Sequence, residues 1–428
     1  MKTLIILIIA LLIPSAAFTQ GIVETIIVPT ISNNRDFFGR STDIDGDMAI
    51  VGAPGLTTAT AHLFQRTAGT WSVVESFPRS SPDGDFGFSA AIDGERFIVG
   101  APRGDSDVSG SMQETGTAHI FERQADGTYQ EIIITADDRA INDQFGVSVA
   151  IDGDRVIVGA SDDDDSQIGS GSAYIFERQS DGSWIQVQKL TAGNPSVNAF
   201  YGGAVGLSGD RAIVGADFAI DSNGNQIGTA YIYERQSDGS WDETIITAAG
   251  TPSFINFGTG VDIDGDRAVV GARDGRNASD VESGSLYIYD RQSAGIWNET
   301  IINASDGANN DDFGISVALE GDMIIVGAHF DGDTNSGSAY LYQRDPDGSY
   351  DETKITASIA AANAQFGISV GISGSRVISG AWGGNTSVFG QAYIYEFQDA
   401  GFGMCFMDEV CGDNVDNNGN GQIDEACI

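Results

Sequence analysis

The chain has little cysteine, little positive charge and no long apolar stretch beyond its first residues. Only three of its 428 residues are cysteines, Cys405, Cys411 and Cys427, so everything before them has to fold without disulfides. Acidic residues number 61 against 21 basic ones, a formal net charge of −40. Such a field repels nucleic acid and anionic lipid and attracts cations. A nucleic-acid partner is disfavoured, and the charge serves either solubility alone or a specific cation-binding role.

Only the N-terminal segment is continuously apolar. Leu4 to Ile13 follow Met1 and Lys2 and precede Pro14 and small residues, the pattern of a secretory signal that is too short to span a bilayer. We predict a signal peptide over residues 1–19 and an exported protein; the alternative is a buried apolar strand. Since no later stretch is apolar enough to span a membrane, the mature protein is expected to be soluble or tethered by something that the sequence does not show.

Seven repeats account for most of the chain. In each, an aromatic-glycine pair is followed by a Gly-Ala step, and the two glycines lie 13 residues apart. The repeat recurs about every 50 to 60 residues, which indicates a modular array. The glycine pairs are Gly39 and Gly52, Gly87 and Gly100, Gly146 and Gly159, Gly202 and Gly215, Gly258 and Gly271, Gly314 and Gly327, and Gly367 and Gly380.

The third repeat shows what one unit encodes. Phe145 to Ile151 alternate apolar and small residues, an Asp-Gly-Asp turn follows, and the apolar pattern then resumes, which predicts a β-hairpin. A third strand is expected around Tyr174, and a second Asp-Gly turn leads to a fourth strand from Trp184 to Leu190. Seven units of four antiparallel strands predict an all-β fold, a seven-bladed β-propeller.

The ends of the chain indicate how the ring closes. Fourth-strand motifs place Thr244 and Thr300 14 residues before the glycine of the next aromatic-glycine pair, and Thr25 stands at the same interval before Gly39. The seventh repeat has no fourth-strand motif of its own, so the N-terminal strand is predicted to complete the last blade. An open solenoid would need capping units, which are not visible. The predicted domains are a propeller over residues 20–398 and a tail over residues 399–428.

The full motifs Gly52-Ala53-Pro54 and Gly100-Ala101-Pro102 resemble the FG-GAP repeat of the integrin α-subunit propeller and its bacterial secreted relatives. The resemblance covers roughly residues 20–398 and implies a binding or adhesion module. Relatives carry calcium between the first and second strands, but here that connection is a tight turn such as Asp264-Gly265-Asp266, with too few ligands. In later repeats other residues replace the proline: Ser161, Asp217, Arg273, His329 and Trp382.

The long, variable, acidic loops between second and third strands share one face with the blade connectors, and variable loops on a rigid scaffold concentrate binding residues. The resemblance implies the same ligand face. Arg103-Gly104-Asp105 spells an integrin-recognition tripeptide, or stands there by chance. The loops at Asp221 and Asp331 space oxygen ligands as calcium loops do, but without a bidentate carboxylate at the far end the favoured interpretation is a pair of solvated turns. The ligand-face candidates are Asp105, Asp163, Asp221, Asp331, Asp333 and Trp382.

The tail carries an EF-hand-like spacing. Oxygen-bearing residues stand at alternate positions around Gly421, which permits the sharp turn of a calcium loop. Cys427 takes the place of the bidentate glutamate, so the affinity is expected to be modest. In an exported protein Cys411 and Cys427 are expected to pair, which is worth about 3 kcal/mol. The tail is similar to a short Cys-bounded metal-binding motif of bacterial extracellular proteins; the alternative is a stapled tail without metal. The predicted Ca²⁺ ligands are Asp416, Asn418, Asn420, Gln422, Asp424 and Glu425.

The sequence lacks a nucleophile-base constellation, a metal triad and a cofactor motif, which disfavours an enzyme. We therefore expect a secreted or cell-surface binding or adhesion module, monomeric, with an extracellular protein or glycan as its ligand. The alternative is a propeller-based enzyme acting on polysaccharide, with acidic pairs between Asp162 and Asp165 for acid-base chemistry. A purely structural envelope protein would bind no ligand at all.

Overall fold

The computed structural model describes residues 8–11, 21–29, 36–55, 58–80, 84–104, 114–248, 255–292, 295–359, 361–383 and 390–397, with the backbone alone for residues 8–11. These residues contain β-strands and no helix. The strands form seven antiparallel sheets, the blades, in a closed ring. The predicted propeller is confirmed.

Each blade begins with an inner strand and ends with an outer one. Blade 1 has β3 (Ser41–Asp45), β4 (Met48–Ala53), β5 (Thr58–Thr67) and β6 (Thr70–Ser80); blade 2 has β7 (Ser89–Asp93), β8 (Arg96–Ala101), β9 (Thr117–Arg123) and β10 (Tyr129–Ile134); blade 3 has β11 (Phe145–Asp152), β12 (Arg155–Ala160), β13 (Ser172–Arg178) and β14 (Trp184–Leu190); blade 4 has β15 (Ala204–Ser208), β16 (Arg211–Ala216), β17 (Thr229–Arg235) and β18 (Trp241–Ile246). Blade 5 has β19 (Phe257–Asp264), β20 (Arg267–Ala272), β21 (Ser285–Arg291) and β22 (Trp297–Ile302); blade 6 has β23 (Val317–Glu320), β24 (Met323–Ala328), β25 (Ser338–Arg344) and β26 (Tyr350–Ile355); blade 7 has β27 (Phe366–Ser373), β28 (Arg376–Ala381), β29 (Gln391–Phe397) and, from the other end of the chain, β2 (Ile22–Ile27) with β1 (Ile8–Leu11) beside it.

The fixed interval between the two glycines of a repeat is the register of the inner hairpin. The N–H of Gly39 donates to the carbonyl of Gly52 at 3.0 Å, and Gly202 donates to Gly215 at 2.9 Å in the same way. The aromatic residue before each first glycine is buried; Phe257, for example, packs edge-on against Tyr287, with ring centroids 5.1 Å apart. Aromatic pairs in this geometry stabilise a core beyond the area that they bury. The motif thus sets both the hairpin and the core of a blade.

The glycine of each Gly-Ala step is a point of close approach between neighbouring blades. A Cβ atom on Gly159 would overlap the carbonyl oxygen of Gly202 in blade 4, and one on Gly327 would overlap that of Gly367 in blade 7. Backbone on both sides leaves nothing that could move aside, so only glycine fits. The repeat spacing therefore also fixes the distance between blades.

The two ends of the chain meet in blade 7. β2 pairs antiparallel with β29, with Ile26 opposite Tyr393, as predicted. Glu24 is buried there and accepts hydrogen bonds from the Tyr395 hydroxyl and the Ser358 N–H, both at 3.1 Å. β1 lies inside the segment predicted to be a signal peptide and pairs with β2. A strand there agrees with the alternative interpretation of that segment, and the signal peptide and its cleavage stay predictions.

Every blade is tied to the next by its inner turn. A side-chain oxygen at the end of the first strand accepts the N–H of the turn glycine in a neighbouring blade, seven times around the ring. Since charged acceptors make the stronger hydrogen bonds, these turns hold the blades together as well as reversing the chain. The pairs are Gly94 with Asp45, Gly153 with Asp93, Gly209 with Asp152, Gly265 with Ser208, Gly321 with Asp264, Gly374 with Glu320, and Gly46 with Ser373.

Arginines reinforce the same face, which we name the turn face. Arg178 of blade 3 forms a bidentate pair with Glu122 of blade 2 at 2.7 and 3.0 Å. Arg66 of blade 1 forms one with Glu396 of blade 7 at 2.9 and 2.8 Å, across the point of ring closure. Bidentate pairs of this kind fix geometry as well as adding free energy. Many charges of the turn face are thus committed to the fold. We name the opposite face, which carries the loops between second and third strands and the blade connectors, the loop face.

Candidate functional site at the centre of the loop face

The residues that surround the central channel on the loop face differ from blade to blade. One set follows each Gly-Ala step, and the other precedes each aromatic-glycine pair. We call this surface the central mouth. Its members are Pro54, Pro102, Ser161, Asp217, Arg273, His329 and Trp382 in the first set, and Phe37, Asp85, Gln144, Phe200, Asn256, Asp312 and Gln365 in the second.

All seven residues of the second set have left-handed backbone, with φ between 51° for Phe37 and 66° for Asp85. Asparagine and aspartate adopt this conformation readily, whereas phenylalanine and glutamine do so at a cost. Because every blade shares it, the conformation belongs to the repeat. The blades differ in the side chain at this position, while the backbone that carries it has the same conformation in every blade.

On one side of the mouth an arginine lies among aromatic rings. The Arg40 guanidinium stands 4.0 Å from the Phe88 ring centroid and 5.4 Å from that of Trp382. Phe37 packs against Trp382 at 5.4 Å, and the indole N–H of Trp382 donates to the Gln365 side chain. These residues come from blades 1, 2 and 7, so the contacts exist only because the ring closes.

On the other side, Arg273 lies near two carboxylates and a histidine. Its guanidinium is 3.7 Å from Asp274 and stands 5.9 Å from the Phe218 ring centroid. His329 is buried, with Nε2 3.9 Å from Asp312, and among the described residues its Nδ1 has no hydrogen-bond partner. A buried nitrogen of this kind costs free energy unless a ligand or water satisfies it.

Burial sets the charge states at the mouth. It lowers the pKa of His329 to about 4, helped by the charges of Arg273 and Arg40, so this imidazole is neutral at pH 7. It raises the pKa of Asp217 and of Asp312 to about 6 each, in both cases against the attraction of Arg273. Burial also lowers the pKa of Arg40 to about 10, opposed by the charge of Asp85. Arg40 and Arg273 act on one histidine from blades 1 and 5, which shows that the groups converge around the axis.

Two carboxylates lie deeper in the channel. Asp43 accepts the N–H groups of Ile44 and of Ile92 in blade 2, both at 2.9 Å, and Asp262 makes the equivalent bonds to Ile263 and Leu319 at 2.8 Å. The other blades have alanine or glycine at this position: Ala91, Ala150, Gly206, Ala318 and Gly371. Burial raises the pKa of both carboxyls to about 7, and the charge of Asp262 adds to the rise at Asp43.

Because of their raised pKa values, Asp43 and Asp262 are expected to lower the free energy of unfolding as the pH rises. Between about pH 4 and pH 7 the native protein holds protons that the unfolded chain has already released, so the free energy of unfolding declines through that window. Asparagine resembles the protonated carboxyl. We therefore expect Asp262→Asn to gain about 2 kcal/mol relative to the wild type between pH 5 and pH 8, less than the full shift because water reaches the channel. Urea unfolding at the two pH values measures the gain, with exposed Asp333→Asn as control; an equal effect at both pH values contradicts the assignment.

Two of the predicted ligand residues, Asp163 and Asp331, are engaged within the protein. Asp163 accepts a hydrogen bond from the Tyr174 hydroxyl at 2.6 Å and lies 2.9 Å from Lys189 Nζ. Asp331 is placed in the same way, 3.2 Å from the Tyr340 hydroxyl and 2.6 Å from Lys354. Each lysine also binds a carboxylate of the preceding connector, Asp138 for Lys189 and Asp306 for Lys354. Lysine takes the outer-strand position where other blades have Ile26, Ile245 and Ile301.

Removing Lys354 should therefore be costly. Lys354→Met would leave buried Asp331 and its neighbour Asp306 without their cation, and an uncompensated buried carboxylate costs about 3 kcal/mol. We expect a lower melting temperature at pH 7 that recovers partly near pH 4, where the carboxylates take up protons. Thermal melts of Lys354→Met and of the control Ile301→Met, at the equivalent position of blade 5, test this; matching melting temperatures would show that the lysine is dispensable.

The other predicted ligand residues are placed as follows. The Asp221 carboxylate accepts the N–H of Asn223 at 2.8 Å and of Asn225 at 2.9 Å, the geometry of a polar turn. Asp333 is exposed beside a cleft of about 590 Å³ that Asn310 and Phe330 also line, and Trp382 is half-buried in the central mouth. Within the described ranges no cluster of histidine, cysteine, aspartate or glutamate is arranged to hold a metal.

Several sequence predictions lie outside the described residues: Asp105 of the tripeptide, the six Ca²⁺ ligands of the tail, and the pair Cys411 and Cys427.

Sequence reasoning missed Arg40, Phe88 and the nearness of Arg273 to His329, whose pKa its charge lowers. The available signal was positional: residues after the Gly-Ala step vary while their neighbours repeat. From the sequence alone, this variation is interpreted only as the loss of a proline. Trp382 is therefore the single residue after a Gly-Ala step among the predicted ligand residues.

The model of the FG-GAP repeat matches five segments, residues 129–176, 184–233, 241–289, 297–342 and 350–395. Together they make up more than half of the sequence. The chain belongs to the FG-GAP repeat family. Each matched segment starts in the outer strand of one blade and ends in the third strand of the next, so the FG-GAP sequence unit is offset from the blade by one strand. Blades 1 and 2 have the same architecture, although the matches begin only at residue 129.

No curated protein matches this FG-GAP chain. Among solved structures it is similar to a protein from Lactobacillus plantarum, with a TM-score of 0.49 and 14% sequence identity over 78% of this chain and 88% of that one. The described residues include no helix that could cross a membrane.

Proposed function

We propose that this FG-GAP propeller is an exported binding or adhesion module that holds an extracellular protein or glycan at the central mouth. The observation that carries the proposal is the contrast between the two faces. On the turn face the same inter-blade bonds recur around the ring, whereas around the mouth the blades present prolines, an arginine, a histidine and a tryptophan at one backbone position. A scaffold that repeats and a centre that varies fit recognition.

FG-GAP repeats are typical of extracellular proteins, which agrees with the proposed signal peptide. An exported protein meets ligands in a medium rich in calcium, and the tail is proposed to bind that ion through Asp416, Asn418, Asn420, Gln422, Asp424 and Glu425, stapled by Cys411 and Cys427.

The ligand-binding proposal is tested by screening the whole mature protein against a glycan array and a panel of extracellular proteins. A hit should weaken when the mouth is altered by Trp382→Ala and persist when the turn face is altered by Asp238→Asn, an exposed turn residue. A hit that both variants retain would place binding elsewhere, and the absence of any hit would favour a purely structural role.

The calcium proposal has its own prediction. Titration of calcium into the full-length protein should give a calorimetric heat of binding that Asp416→Ala abolishes, because position one of the loop supplies a carboxylate. The melting temperature of the propeller should stay unchanged in Asp416→Ala. A heat that survives this substitution contradicts the tail site.

A second candidate is an enzyme acting on polysaccharide. It is favoured by the raised pKa of Asp217 and Asp312 beside Arg273, since a carboxyl that titrates near pH 6 can act as a general acid. Release of reducing ends from a polysaccharide panel, lost in Asp312→Asn, would support this candidate; binding of an oligosaccharide without release supports the binding module.

A further inference from the structure

Among the described residues the Arg40 guanidinium forms no ion pair, and it lies against the rings of Phe88 and Trp382. Burial lowers the pKa of Arg40 and the charge of Asp85 raises it, but Asp85 forms its ion pair with Arg103, at 3.1 Å. Most arginines of the turn face, by contrast, pair with carboxylates, as Arg178 does with Glu122. Partial burial of an unpaired charge is costly, so this site is prepared for an anion that arrives from outside.

The surroundings narrow the chemistry of that anion. Arg40 presents a planar fork of donors that suits a carboxylate in bidentate geometry. Half-buried aromatic side chains stand beside it: Phe88 and Trp382 lie against the guanidinium, and Phe37 packs on Trp382. Flat apolar faces of this kind cover the C–H face of a sugar ring, while the guanidinium binds the acid group.

Resting on the proposed binding function, we propose that the central mouth recognises a carboxylated saccharide, a uronic acid unit whose carboxylate binds Arg40 and whose ring stacks on Trp382. An acidic side chain of a protein is the competing ligand. The saccharide is favoured because the mouth offers aromatic faces beside the cation: the rings of Phe88 and Trp382 lie against Arg40.

The overall charge of the protein makes the proposal selective. A chain of net charge −40 repels polyanions in general. We expect an acidic saccharide to approach the mouth where it is positively charged, between Arg40 and Arg273, whose charges both lower the pKa of His329. Binding should consequently need a single well-placed acid group.

The test uses the full-length protein and two oligogalacturonates of equal length, one with free carboxylates and one fully methyl-esterified, titrated by calorimetry. The free acid should bind, and the ester should bind at least tenfold more weakly. Arg40→Gln should lose at least tenfold in affinity for the acid and nothing further for the ester. Arg40→Lys should lie between, because it keeps the charge without the fork.

Arg139→Gln is the matched control, since it removes the same charge from an exposed loop-face connector and should leave affinity within twofold. Equal binding of acid and ester, or no binding of either, overturns the proposal. The comparison of acid with ester uses the wild-type protein, so it tests the proposal even if Arg40→Gln fails to fold. Competition by poly-glutamate as effective as the oligogalacturonate would assign the mouth to acidic proteins instead. Binding of a neutral glycan that does not depend on Arg40 would contradict this inference, but it would agree with the proposed binding module.

Discussion

Replacing Gly159 by alanine should prevent blades 3 and 4 from packing. The added Cβ would overlap the carbonyl oxygen of Gly202, and since both partners are backbone, relief requires the blades to separate and the core between them to open. Overpacking of this kind costs about 3 kcal/mol or more, and here no side chain can give way. We expect loss of cooperative unfolding or a fall in melting temperature of at least about 4 degrees, measured by calorimetry.

Gly153→Ala separates this effect from that of backbone conformation. Gly153 has φ of 58° in an inner turn and nothing within 4 Å of an added Cβ, so alanine there should cost only about 1 kcal/mol. Comparable losses in the two variants would show that the glycines matter for conformation and that the close approach of the blades does not.

Removal of β2 should open the ring. A chain beginning at residue 28 lacks the strand that pairs with β29, together with the buried side chains of Ile26 and Ile27. Tyr395 also loses its partner Glu24. The loss exposes a long strand edge next to an apolar core, so we expect aggregation or a broad, non-cooperative melt.

The matched control is a chain beginning at residue 21, which keeps β2 and lacks β1. It should melt like the full chain, and a synthetic peptide of residues 21–29 added to the shorter protein should restore part of the cooperative transition. If the chain beginning at residue 28 melts as the control does, closure by the terminal strand contributes nothing to stability.

The sequence predicted the scaffold because the scaffold repeats. One interval between two glycines encodes both the inner hairpin and the spacing of the blades, and the strand around Ile26 could be assigned to the last blade because it kept the interval of the other outer strands. The same geometry is encoded seven times, so it can be predicted even where one repeat is irregular.

The candidate site could not be predicted in the same way. Arg40, Phe88 and Trp382 lie far apart along the chain and meet only through ring closure, and a guanidinium stacked on a ring has no fixed sequence spacing. The lysines were more accessible to prediction: Lys189 and Lys354 replace isoleucine at an outer-strand position facing a tyrosine. A lysine at a position that is isoleucine in other blades, on the strand that follows an acidic loop, indicates an ion pair within the protein. It does not indicate a ligand site.

The way in which β2 joins β29 determines how the molecule would respond to tension. Ile22 lies opposite Phe397, so the free ends of both strands leave the last blade on the same side. A force applied to the two termini would therefore separate the six residue pairs between β2 and β29 one after another. It would not load all six pairs at once in shear. Under such a force the ring would open first at the pairing of β2 with β29.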